Sequence, residues 1–306
     1  MKPVLLLTGG NGQLGQTFQQ HWPDSKLAED YELLAIDVDQ LDLSDPTAVA
    51  NYLVHKQPRL IINGAAYTAV DAAEEDQRAA FAVNEQAVAN LASWCAGHQS
   101  SLILVSTDFV FDGKAETPYT PADTPAPLGA YGASKLAGEQ QLQARLPEAG
   151  TIVRTSWLYS EYGANFVKTM LRLMGERDEL GIVHDQIGSP TSTHSLVAFL
   201  YSLISVGTHT GIYHWTDGGS VSWYDFAVAI HEFGMEKGLL ENTVELHPLG
   251  TAEYPKPARR PAYSVLDRSS SLAVPGCIES EWRIELEKVI TALAGVRLSQ
   301  QEASNE

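Results

Sequence analysis

The stretch Pro3-Val4-Leu5-Leu6-Leu7-Thr8-Gly9-Gly10-Asn11-Gly12-Gln13-Leu14-Gly15 decides the fold. Its first half is a short apolar run, as a strand buried on both faces requires. Glycines then recur at 9, 12 and 15, in a Thr-Gly-x-x-Gly-x-x-Gly pattern that opens a helix. Glycine permits a tight turn and lets the backbone approach a pyrophosphate. That group sits against the unpaired N–H groups and positive dipole end of the helix. A glycine triplet alone is weak evidence. Its position between a strand and a helix predicts a dinucleotide cradle, and with it an α/β fold built on a doubly wound parallel sheet of the Rossmann type.

The chain on either side of later apolar runs extends this pattern. Glu32–Asp37 reads as a second strand, ending in a carboxylate 22 residues after Gly15. A carboxylate there is placed to hydrogen-bond the adenosine ribose of NAD. No Lys or Arg lies between Asp37 and Val54, so the residues themselves lean towards NADH. Ser44-Asp45-Pro46-Thr47 is a helix start, a cap followed by proline in the first turn. Arg59–Asn63 is a third strand, and the small residues of Gly64-Ala65-Ala66-Tyr67-Thr68 leave room for phosphate and ribose. One long helix is expected from about Ala72 to Gly97. Ser101–Thr107 is a fourth strand, which delivers Thr107 to the carboxyl edge of the sheet, where ligands bind in open α/β folds.

Thr107 lies 24 residues before Tyr131, across a loop rich in Pro and Gly. Tyr131 and Lys135, in Leu128-Gly-Ala-Tyr-Gly-Ala-Ser-Lys-Leu-Ala-Gly-Glu139, are four apart in a segment that reads as helix through Arg145. Residues at i and i+4 share a helix face, so phenol and ammonium can point into one cleft. A tyrosine working near neutrality needs its pKa to fall from about 10 to about 7, roughly 4 kcal/mol. One unit charge at about 4 Å and an effective dielectric near 20 supplies that much. Lys135 is therefore expected to lower the tyrosine.

The glycine pattern, the strand-end hydroxyl and the Tyr131/Lys135 pair together resemble an extended short-chain dehydrogenase/reductase. The resemblance implies that Thr107 hydrogen-bonds the substrate oxygen, that Tyr131 transfers the proton, and that Lys135 holds the nicotinamide ribose. Further motifs narrow it: Ala65–Asp71, Ser106–Gly113, Val153–Tyr159, Asn165–Met170, Asp185–Thr191, Ser222–Phe226 and Arg259–Asp267. Spanning almost the whole chain, these are similar to the dTDP-4-dehydrorhamnose reductase family. The resemblance implies an enzyme that uses NADP(H) or NAD(H) to reduce the C4 keto group of dTDP-4-dehydro-6-deoxy-L-mannose. It assigns Gly9, Asn11, Gly12, Gln13, Leu14, Asp37, Asp42, Leu43, Ala65, Ala66, Tyr67, Tyr131 and Lys135 to the cofactor. It assigns Thr68, Asp108, Phe109, Trp157, Arg259 and Arg260 to the substrate, with Arg259 or Arg260 on the diphosphate. Some members dimerise around magnesium held by acidic residues, at positions occupied here by Thr17 and His194. Neither is a hard anionic oxygen ligand, so no structural magnesium and a monomer are expected. Two rival functions stand beside this one. One is another nucleotide-sugar ketoreductase or epimerase. The other is a silent cofactor-binding subunit, since the resemblance extends to the regulatory beta subunit of methionine adenosyltransferase.

Composition sets the outer bounds. The 306 residues carry a net charge of −18, which argues against nucleic acid and anionic membranes as partners. No apolar run reaches about 18 residues and no leader is recognisable, so a soluble cytoplasmic protein with a small-molecule substrate is expected. Two cysteines, Cys95 and Cys277, give neither a disulfide framework nor metal spacing. The expected division is a nucleotide domain over 1–153, with parts of 185–217 returning to it. A discontinuous substrate domain follows over 154–297, then a polar tail over 298–306, with fraying expected from Val296.

Overall fold

Six short apolar runs lie side by side as parallel strands: β1 (Val4–Thr8), β2 (Glu32–Ile36), β3 (Pro58–Asn63), β4 (Ser101–Thr107), β5 (Gly150–Thr155) and β6 (Gly211–His214). Their order across the sheet is β6-β5-β4-β3-β1-β2. The order reverses between β1 and β3, and a crevice opens at the carboxyl ends of strands that part in this way. The computed structural model describes residues 2–207 and 210–305, with only the backbone described for 298–305.

The longer helices are α1 (Gln13–His21), α2 (Pro46–Lys56), α3 (Ala87–His98), α4 (Ala130–Arg145), α5 (Phe166–Glu176), α6 (Thr193–Ser205), α7 (Trp223–Glu236) and α8 (Trp282–Asn305). Side chains alternate along a strand, so each face of the sheet acquires its own core. Leu5, Leu7, Leu60, Ile62 and Ile103 meet Phe18 of α1 and Leu196, Phe199 and Leu200 of α6. Leu6, Ile61, Leu102, Leu104 and Ile152 meet Leu53 of α2, Val88 and Leu91 of α3 and Leu142 of α4. A third core lies in the later chain, where Met170 and Met174 of α5 pack with Phe226 and Ile230 of α7 and Leu286, Val289 and Ile290 of α8.

Local chemistry sets the element ends. Asp45 accepts the N–H groups of Thr47 and Ala48 while Pro46 occupies the first turn, which starts α2. Ser222 and Asp225 form a reciprocal capping box on α7. The long helix expected from Ala72 to Gly97 is instead broken into Ala72–Glu75, Gln77–Phe81, a wide π turn at Ala82–Gln86, and α3. Asp76 causes the first break, because its side chain caps the next helix by accepting from Ala79 N–H. The wide turn faces Asn84 inward, where its amide bonds both backbone groups of Tyr67 and the Ser134 hydroxyl. Where a polar tail is expected, with fraying from Val296, the backbone continues as helix to Asn305. Leu298, Gln300, Gln301, Glu302 and Ala303 are good helix formers and extend a helix already nucleated by packing.

Candidate active site

The glycine loop turns at Gly9, whose φ of +73° suits glycine. A Cβ there would lie 2.8 Å from the Ala65 amide nitrogen, and one at Gly15 only 2.2 Å from the Gly9 carbonyl oxygen. Backbone thus comes close to backbone, and α1 begins hard against β1. Gly12 caps α1 with no side chain, which leaves the first-turn N–H groups to a ligand. At the end of β2, Asp37 accepts Asn11 N–H on Oδ2 at 2.8 Å and Val38 N–H on Oδ1 at 2.7 Å, fixing its carboxylate beside the loop.

One cavity of about 990 Å³ runs from this loop across the strand ends. Gly9, Asn11, Gly12, Gln13, Leu14, Asp37, Asp42, Leu43, Ala65, Ala66 and Tyr67 line it. So do Thr68, Thr107, Asp108, Phe109, Tyr131, Lys135, Trp157 and Arg260. A glycine cradle that Cβ atoms would fill, a helix N-terminus and a cavity of this size fit a dinucleotide. Among the predicted site residues Arg259 is exposed and lines not the large cavity but a small adjoining pocket of about 10 Å³, which shares Phe109 and Tyr131 with it.

At the centre, α4 starts where Ala130 N–H donates to Glu74 at 2.7 Å, and it presents Tyr131 and Lys135 on one face. Thr107 donates its hydroxyl to Asp108 Oδ1 at 3.0 Å and accepts Phe109 N–H at 3.2 Å. Phe109 packs edge-on against the Tyr131 ring, centroids 5.8 Å apart. The electrostatics differ from the sequence expectation. Burial pushes the Tyr131 hydroxyl up to about 12; the Thr107 hydroxyl opposes the rise and the Asp108 charge adds to it. Lys135 does not lower it. The ammonium donates instead to the Val105 carbonyl at 2.7 Å, and burial brings its own pKa down to about 8 against the pull of Glu139. Desolvation of the phenolate outweighs the helix-face pairing. Burial thus favours the neutral form of the Tyr131 phenol. Asp108, buried beside Thr107, is raised to about 6 by desolvation despite the Ser264 and Thr107 hydroxyls.

The far wall comes from the later chain. Trp157 stands at a φ of +48°, stacked on Trp223 with centroids 3.4 Å apart. Gly188 makes room, since a Cβ there would meet the indole at 2.6 Å. Trp223, Gly163 and Ala164 also line the cavity. No single-sequence signal assigned them, although Trp223 sits in the Ser222–Phe226 motif. Arg260 is paired with Asp71 at 2.9 Å, which holds the Asp71 carboxyl below its usual range. Gln13 of the glycine loop accepts hydrogen bonds from Ser160 and Asn165 of the later chain, at 3.0 and 2.8 Å. Behind this seam, Thr17 is buried with its hydroxyl 2.7 Å from that of Thr193. His194 lies between His21 and Glu161, at 2.7 and 2.9 Å. Among the described residues no group of three or more His, Cys, Asp or Glu is arranged to hold a metal.

The chain matches the family model described as "RmlD substrate binding domain" over residues 1–294. It is 42% identical over 290 residues to the dTDP-4-dehydrorhamnose reductase of Aggregatibacter actinomycetemcomitans, covering 93% of this chain and 97% of that protein. The crystal structure of a dTDP-4-dehydrorhamnose reductase from Clostridium acetobutylicum superimposes with a TM-score of 0.87 at 41% identity, covering 96% of this chain and 99% of that one. The enzyme from Bacillus anthracis, solved in complex with NADP, does so with a TM-score of 0.87 at 37% identity, covering 95% of this chain and 100% of that one. With this sheet, this cleft and likeness along nearly its whole length, the chain belongs to the dTDP-4-dehydrorhamnose reductase family.

Proposed function

We propose that the protein reduces the C4 keto group of dTDP-4-dehydro-6-deoxy-L-mannose to give dTDP-L-rhamnose, drawing on NADH or NADPH. The observation that carries this reading is the convergence of Thr107, Tyr131 and Lys135 on the cavity that begins at the glycine loop. A bound nicotinamide supplies a hydride to the carbonyl carbon. The chain's own residues then account for the rest. The first-turn N–H groups of α1 and the loop glycines bind the pyrophosphate, and Lys135 holds the nicotinamide ribose. The Thr107 hydroxyl steadies the carbonyl oxygen where negative charge develops. Tyr131, kept neutral by burial, gives its phenolic proton to that oxygen as a general acid. Trp157 walls the substrate side. Arg260 is the suitable group for the substrate diphosphate, with Asp71 holding its guanidinium in place until the anion arrives. Residues 1–153, with parts of 185–217, form the nucleotide domain, and 154–297 supply the substrate side.

The test follows oxidation of NADH and NADPH in parallel, with the keto sugar made in the cuvette from dTDP-glucose by the upstream dehydratase and epimerase. Turnover should require both upstream enzymes. Tyr131→Phe should lower kcat by about 10²–10⁴ with cofactor affinity retained. Equal activity in the two proteins removes Tyr131 from the mechanism. Faster turnover of a guanosine- or uridine-linked keto sugar removes the substrate assignment.

A further inference from the structure

Lys135 lies deep in the molecule, with 3% of its surface exposed, and a cation there must be compensated. Its ammonium has one protein contact among the described hydrogen bonds, the neutral Val105 carbonyl. One turn on, at i+4 on the same helix face, stands Glu139, 1% exposed. Glu139 is itself clamped. Arg154 of β5, 2% exposed, grips it through Nη2 at 2.6 Å and through Nε at 3.0 and 3.2 Å. Ser106 donates to it from β4, the strand residue next to Thr107. Ser106 and Arg154 are register partners in the sheet. Arg154 also meets the Nε2 of His214, whose ring lies against the Tyr119 carbonyl through Nδ1, and it covers the Phe111 ring. The ion pair is thus a fixed dipole with its negative end on the helix that carries Lys135.

We propose that Glu139 is a positioning residue, whose clamped carboxylate keeps the Lys135 ammonium charged and held at the nucleotide cavity. The inference rests on the reading of Lys135 as the group that binds the nicotinamide ribose. Other charged groups do not supply the compensation. Asp108, at the end of β4, is an anion above about pH 6, but it accepts the Thr107 hydroxyl and its charge acts on Tyr131 rather than on Lys135. Glu74 is spent on Ala130 N–H, and Glu85 on the Gln141 amide. Tyr131 stays neutral, and His214, brought down to about 4 by burial and by Arg154, is neutral too. Arg154 has the wrong sign. Among the described residues, Glu139, one turn along α4, is the acid whose charge raises Lys135 against burial.

The experiment is a fluorescence titration with NADH and with NADPH across about pH 6 to 10, which needs no sugar substrate. Wild type should lose affinity at least tenfold as Lys135 deprotonates, with a midpoint near 8. Glu139→Gln should move that midpoint about one pH unit towards acid, as expected for loss of a single charge one helical turn away. Because that change leaves Arg154 buried without its partner, the double variant Glu139→Leu/Arg154→Met is made beside it. Apolar groups of similar volume replace buried ion pairs without loss of fold in other proteins. It should melt as wild type does and shift the midpoint towards acid too, by less, because the opposing Arg154 charge leaves with Glu139. A wild-type midpoint in either folded variant overturns the proposal, whatever the melting temperature. So does direct observation, by ¹⁵N-lysine NMR of wild type, of a Lys135 ammonium already neutral at pH 7. Wild type that binds neither dinucleotide overturns the cofactor reading itself, a different result from binding whose pH midpoint ignores Glu139.

Discussion

Asp108 illustrates what a reacting site costs a fold. Its carboxyl is raised from 3.8 to about 6 because burial disfavours the charged form. The native state therefore binds this proton more readily than the unfolded chain does. The stability tied to it is fully present below about pH 4, falls as pH rises towards 6, and is absent above that. Asp108→Asn should raise the melting temperature at pH 8, through a gain on the order of 3 kcal/mol, and give no gain near pH 4. Asp217, also raised to about 6, titrates alike in both proteins and cancels from the comparison. An equal gain at both pH values would show that the effect is packing, not charge. At this scale the placing of Thr107, Tyr131 and Lys135 along one cavity was legible in the sequence, because spacing along a helix and the end of a strand is geometric. Their protonation was not. Helix spacing does not reveal that Lys135 reaches the Val105 carbonyl, nor how deeply the phenol is wrapped.

Among the elements, the contact between the glycine loop and α1 is a tight constraint on the site. A methyl group at residue 15 would press on the Gly9 carbonyl and on the Gly10 Cα, 2.2 and 2.7 Å away. Both are backbone atoms in the turn that faces the cofactor, so neither moves without opening the cradle. Gly15→Ala should destabilise the protein by about 1–3 kcal/mol and weaken NADH and NADPH binding at least tenfold. Unchanged affinity, measured by fluorescence titration, would mean that α1 can shift without disturbing the loop. Strands β1 to β4 and the start of α2 were legible because apolar runs, Asp45 and Pro46 act locally. The breaks between Ala72 and α3 were not. Ala-rich sequence favours helix throughout, and nothing local shows that Asp76 will turn its side chain to the Ala79 N–H as a cap.

Across the whole molecule, two regions meet at Gln13, and the surface behind that seam closes on itself. Thr17 is satisfied by Thr193, and His194 by His21 and Glu161. Neither Thr17 nor His194 offers a hard anionic ligand, so EDTA should leave the sedimentation coefficient and melting curve unchanged. A dimer that the chelator dissociates would contradict this. The return of β6 to the sheet after the substrate-side helix α5 was harder to read, because a four-residue strand carries little periodic signal. The resemblance pointed there where the pattern did not. The Trp157–Trp223 stack stands at the wall of the cavity, with its rings 8° from parallel. Indoles so close share their excited states, so this chain carries its own optical gauge. A ligand that wedges or presses the pair should change the intrinsic emission and the exciton couplet in circular dichroism, and Trp223→Leu should silence both signals. Occupancy of the sugar side could then be followed by light alone, without a label and without turnover.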